Sequence, residues 1–65
     1  MSWISVKDEL PALTKHDDYF ELRSKEVLVK AQNLHHVAYY TKSGYWVLNS
    51  LKYILDGVEK WKEIH

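Results

Sequence analysis

His16-Asp17-Asp18 sets an imidazole beside two carboxylates, and His35-His36 adds two more metal-capable rings. Neutral imidazole and carboxylate are ordinary ligands for a divalent cation, so the two stretches sketch a metal-assisted hydrolase built on His16, Asp17 and Asp18. The spacing argues against it. Adjacent residues on a strand point to opposite faces, so His35 and His36 cannot share one ion. No HxxxH or HExxH holds two rings on one helix face. Nucleophilic chemistry has less to build on. The chain has no cysteine and no G-x-S-x-G, and Ser2, Ser5, Ser24, Ser43 and Ser50 sit beside caps and turns. Ser5 is expected to bond nearby backbone rather than attack a substrate. With Gly44 and Gly57 as the only glycines, no glycine-rich phosphate loop forms. The expectation is a protein that is not an enzyme and uses no metal or cofactor.

A chain of 65 residues is one domain, residues 1–65, and its small core leaves little room for a ligand pocket. Without cysteine it has no disulfide to compensate for marginal stability. Its resource is aromatic: Trp3, Tyr19, Phe20, Tyr39, Tyr40, Tyr45, Trp46, Tyr53 and Trp61. Formal net charge is zero, with acids leading before Val27 and bases slightly ahead after it. That balance lacks the basic face of a nucleic-acid binder. No leader pattern opens the chain and no apolar run nears the ~20 residues of a membrane span. A soluble protein of the cytoplasm, away from membranes and nucleic acid, is the expectation.

Ser2 to Val6 alternates like a short strand or extended arm, and Leu10-Pro11 ends any helix begun at Lys7. Thr14 to Asp18 reads as a polar loop, and Tyr19 to Lys25 as a turn of helix or an irregular crossover. Val27-Leu28-Val29 is β-branched-rich and predicts a strand. Gln32-Asn33 predicts a tight turn, Leu34 to Tyr40 a second strand, Thr41 to Gly44 a loop and Tyr45 to Leu48 a third strand. The fold class is mainly β to α+β: a three- to four-stranded antiparallel meander with a covering N-terminal arm and a C-terminal strand or short helix. The last stretch is open. Leu48, Leu51, Leu55, Val58, Trp61 and Ile64 recur at helical spacing, while Asp56-Gly57 signals a turn followed by a strand.

With those turns, one sheet face carries Val27, Val29, Ala31, Leu34, His36, Ala38, Tyr40, Tyr45 and Val47. The other carries Leu28, Lys30, His35, Val37, Tyr39, Trp46 and Leu48. The arm (Trp3, Val6, Leu10) is expected to cover part of one face and the C-terminal segment (Leu51, Ile54, Val58, Trp61) part of the other. Apolar surface beyond what these ends cover points to a homodimer or a partner face, centred on Tyr39 and Trp46. The alternative is that Tyr39 and Trp46 are simply core. Lys60 and Lys62 alternate with Trp61, as on a strand edge whose lysines meet an acidic partner or discourage wrong pairing.

Trp3-Ile4-Ser5-Val6, Leu10-Pro11, Val27-Leu28-Val29, Val37-Ala38-Tyr39-Tyr40, Gly44-Tyr45-Trp46 and Asp56-Gly57-Val58 with Trp61 resemble, in their order, a family known as domain of unknown function 551. The family is common in phage and prophage genomes. It usually continues after the last tryptophan into a proline-rich tail, where this chain has Lys62-Glu63-Ile64-His65. The stretch from Ala12 to Lys25 is longer and more charged than the family's turn. The resemblance implies a small β-rich fold with the last tryptophan in an extended segment, and it supplies no activity. It turns the functional expectation towards a binding module of phage type. Such a module would occupy a bacterial host protein, a defence protein among the candidates, through Tyr39, Trp46, His35, Lys60 and Lys62. The alternative is a nucleotide- or small-ligand-binding homo-oligomer with stacking from Tyr39, Tyr40 or Trp46 and charge from Lys30 or Lys42.

Overall fold

The computed structural model describes residues 2–50 and 53–64. They contain six strands and no helix: β1 (Ile4–Ser5), β2 (Val27–Ala31), β3 (Leu34–Tyr40), β4 (Trp46–Leu48), β5 (Ile54–Leu55) and β6 (Val58–Glu63). All pair antiparallel in a single sheet, in the order β1-β6-β2-β3-β4-β5. The mainly-β expectation therefore stands, and the expected three or four strands become six. β1 and β5 are two residues long, too short for alternation to register, and only pairing with longer neighbours defines them.

The β2–β3 hairpin turns at Gln32 (φ 52°) and Asn33 (φ 65°). Two left-handed residues in a two-residue loop match the right-handed twist of the flanking strands. The next turn departs from expectation. It runs over five residues, closed by Thr41 N–H donating to the Tyr45 carbonyl at 2.9 Å and Gly44 N–H donating to the Thr41 carbonyl at 2.9 Å. Gly44 takes φ +93° there. Tyr40 consequently faces Trp46, and Tyr39 faces Val47. One added loop residue moves every side chain of β4 to the opposite face. Trp46 and Leu48 thus share a face with Ala38 and Tyr40, and Val47 shares the other with Tyr39. The face expected to centre on Tyr39 and Trp46 does not exist.

Val27, Val29, Ala38, Trp46 and Trp61 form the core, with Ile4, Val6, Tyr40, Leu55 and Val58 packed against it. Ile4 belongs to one edge strand and Leu55 to the other, yet both meet the same cluster. The sheet therefore curls around this face, extending the ordinary strand twist into a half-closed trough. The terminal segments do not divide the two faces as expected. Val6, Val58 and Trp61 all pack on the concave side, and Leu10 is exposed. Ile54 pairs with Val47 on the convex side, and Trp3 lies on that side too, against His35. The expected cover from Leu51 lies outside the described residues.

Helical spacing near the C-terminus loses to the turn because Gly57 sits at φ +76°, a backbone state that ends a helix and costs a β-carbon. β6 then continues as a strand between β1 and β2, so Lys60, paired with Ser5 and Lys30, is not on a sheet edge, while Lys62 lies one residue past the β1 pairing. An added β-carbon at Gly57 would stand 3.3 Å from Gln32 Cγ. Gly57→Ala is expected to lower stability by about 1–2 kcal/mol, combining backbone strain and crowding. Urea denaturation checks this, and an unchanged midpoint would show that the turn does not need left-handed backbone.

Candidate binding face

Strand register alone lines up one row of side chains across the convex face. Ser5 lies opposite Lys60, Lys60 opposite Lys30, and Lys30 opposite His35. The next row pairs Lys62 with Leu28 and Leu28 with Val37. These residues point outward because they alternate with Val29, Ala31 and Trp61, which the core claims. A register shift at Lys30/Ala31 lets β6 accommodate one extra residue without disturbing either row.

Trp3 precedes Ser5 by two positions and shares its face. Its indole reaches across the lysine row. Lys62 Nζ lies 4.7 Å and Lys60 Nζ 5.4 Å from the ring centroid, and the His35 ring lies 5.4 Å away, tilted by 34°. Each lysine gains roughly 0.5–1 kcal/mol from the ring at an exposed site. The lysines have no other compensation: among the described residues both ion pairs belong to Arg23. Lys30 and Lys60 directly oppose each other, a like-charge juxtaposition that costs a sheet some tenths of a kcal/mol. Positive charge is concentrated around a half-buried aromatic plane, and no ion pair among the described residues neutralises it.

At the other end of the convex face the crossover from β1 to β2 covers Tyr39. Thr14 and Arg23 exchange two backbone hydrogen bonds, of 2.8 and 3.0 Å, that close the loop, and Leu22 O accepts from Lys42 N–H. Arg23 is 5 % exposed. Its guanidinium lies 4.2 Å over the Tyr39 ring, donates to the Ser24 carbonyl at 2.9 Å and grips both Asp18 oxygens at 3.1 Å. Glu21 binds the Ser43 hydroxyl at 2.8 Å. Burial pushes both Tyr39 and Tyr19 above the usual phenol range. The loop stacks Phe20 on Tyr19 at 4.7 Å, over an open cleft of about 350 Å3 whose walls include Tyr39, Tyr45, Val47 and Ile54.

The hydrogen bonds from Arg23 hold the Asp18 carboxyl below its ordinary pKa of 3.8. A depressed carboxyl contributes stability that is complete above pH 3.8 and is lost as pH falls through the lower folded value. Acidification below that point is expected to open the loop first, seen as loss of amide protection at Thr14 and Arg23. An Asp18 titration midpoint at or above 3.8 would contradict this.

The residues expected to bind are thus separated. His35, Lys60 and Lys62 come together on the convex face. Tyr39 lies on that face but is 2 % exposed beneath the crossover, and Trp46 is 8 % exposed in the concave core. Neither is available for contact. Trp3 and Lys30 complete the cluster. Trp3-x-Ser5 and Lys60-x-Lys62 each carry the alternation that marks one face, but only the pairing of β1 with β6 brings them together. The hydrolase set does not assemble: His16 is hydrogen-bonded to Thr14 Oγ1 at 3.1 Å, Asp18 is held by Arg23, and among the described residues no three metal-capable side chains converge. No helix among those residues is long and apolar enough to cross a membrane. No family model, no curated protein and no solved structure matches this chain.

Proposed function

We propose that this chain is a non-enzymatic binding module that docks an acidic protein surface on its convex face, with Trp3 as the central contact and Lys30, Lys60, Lys62 and His35 around it. One observation carries the reading: Lys60, Lys62 and His35 pack around a half-buried indole with Lys30 next to them in register, and among the described residues no carboxylate is paired to these lysines. An aromatic anchor flanked by uncompensated charge is what a polar interface uses for affinity and orientation. The resemblance to the phage-associated family supplies the setting. The partner is then a bacterial host protein, a defence protein among the candidates, met in the host cytoplasm.

The test is affinity capture from bacterial lysate by the wild-type chain and by a Lys60→Glu/Lys62→Glu variant. A defined partner retained by the first and lost by the second supports the reading. A partner held equally by both removes these lysines from it. The Trp3 plane among lysines also favours a second reading, a nucleotide stacked on Trp3. Of its stacking candidates Tyr39, Tyr40 and Trp46, Tyr39 and Trp46 are buried. Stoichiometric heat on titration with a nucleotide panel, abolished by Trp3→Ala, would favour the nucleotide over the protein.

A further inference from the structure

We infer that His35 makes occupancy of the lysine site depend on pH: the protonated ring adds a cation to the row and tightens an acidic ligand, and the neutral ring loosens it. The inference rests on the lysine-site reading and supplies its regulation.

His35 is exposed and lies directly opposite Lys30, which lies opposite Lys60. Neighbouring strands are about 4.8 Å apart, so the imidazole continues the cationic row at the next step across the sheet. Its ring meets Trp3 at 5.4 Å, the same indole that Lys60 Nζ and Lys62 Nζ approach at 5.4 and 4.7 Å. The charged groups that face His35 are therefore Lys30 from β2 and, across the indole, Lys60 and Lys62 from β6. The N-terminal arm brings the neutral Trp3, and β4 pairs only with the far end of β3, at Ala38 to Tyr40. His36, next in the chain, points to the concave side opposite Val29. Among the described residues no carboxylate forms an ion pair with His35 or with these lysines.

Lysine stays charged throughout the neutral range, so imidazole is the group of this cluster that changes charge between pH 5 and 8. An anion bound on the row favours the charged ring. By reciprocity, a ring already charged favours the anion. Proton and acidic ligand thus bind the same cluster with positive coupling, and affinity rises as pH falls. Contact with Trp3 keeps the added charge beside Lys30.

A ten-residue aspartate peptide is the probe, because its carboxylates stay ionised from pH 5.5 to pH 7.5. Amide shifts of Lys30, Lys60 and Lys62 follow its binding at the two pH values and constant ionic strength. In the wild type the dissociation constant is expected to be about three- to fivefold smaller at pH 5.5, the size of one exposed ion pair. His35→Gln should remove that difference, and His36→Gln should retain it. The titration midpoint of the His35 ring should move to higher pH when the peptide is present. A pH difference that survives His35→Gln, or one lost equally in His36→Gln, overturns the inference. Binding that is flat with pH in the wild type overturns it too; if Lys60→Glu/Lys62→Glu abolishes that flat binding, the lysine site stands without its switch. No binding at either pH overturns the lysine site and the switch together.

Discussion

Trp61→Ala is expected to leave this chain largely unfolded at room temperature. Trp61 is 4 % exposed and sits in the middle of β6, opposite Val29 on one side and Ile4 on the other. Its indole N–H donates to the Glu9 carbonyl at 2.9 Å, pinning the segment that follows β1. Alanine there removes one of the two tryptophans of the core and leaves a cavity, which costs about 3–5 kcal/mol. A domain of this length has only about 3–10 kcal/mol in total. The loss also releases the Glu9 carbonyl, and with it β1, whose two residues pair solely with β6. Far-ultraviolet circular dichroism and urea titration measure the effect. Trp61→Phe keeps most of the ring but lacks the donor, so a loss of only about 1–2 kcal/mol is expected. Equal losses in the two variants would mean that the hydrogen bond, not the packing, is the main contribution.

Lys60→Glu/Lys62→Glu is expected to separate binding from folding. The substitution removes two cation–ring contacts with Trp3, a loss of roughly 1–2 kcal/mol. It also turns the opposed Lys30–Lys60 pair into an attractive one and ends a like-charge juxtaposition. These terms oppose each other, so stability should change by no more than about 1 kcal/mol. Binding has no such compensation. Removing one side of a desolvated charge pair costs about 2–5 kcal/mol, so reversing two lysines should weaken an acidic partner at least about a hundredfold. The wild-type affinity should fall with rising salt and the variant's should fall less or rise, because two of its cationic contacts have become repulsive ones that salt screens. Titration calorimetry at two salt concentrations, beside a urea curve, reads both quantities. A large stability loss with unchanged affinity would make the cluster architectural.

The strands and turns with local causes were legible in the residues. Val27-Leu28-Val29 has the β-branched content of a buried strand, and Leu34 to Tyr40 has both bounds of β3. Gln32-Asn33 is the tight turn that its residue types predict. Asp56-Gly57 competed with a helical repeat, and the turn signal prevailed because the glycine's left-handed backbone breaks a helix outright, while spacing is only a preference. The candidate site is half legible: His35, Lys60 and Lys62 meet on one face, whereas Tyr39 and Trp46, which alternation over a four-residue loop assigns to one face, lie on two. A single loop residue made that difference. Tyr45 has every local attribute of a strand, and only the Thr41–Tyr45 closure takes it out of β4.

The chain's order of residues determined which of the longer segments extend and where most of them turn, since these follow from side-chain shape and backbone freedom over a few positions. Only the tertiary structure decided the neighbours. It inserted β6 between β1 and β2, laid Trp3 across lysines far from it in the chain, and drew Arg23 under the crossover to cover Tyr39. Pairing between distant strands depends on which faces can be buried together, and that is settled by the whole sheet closing on its core rather than by any stretch of it.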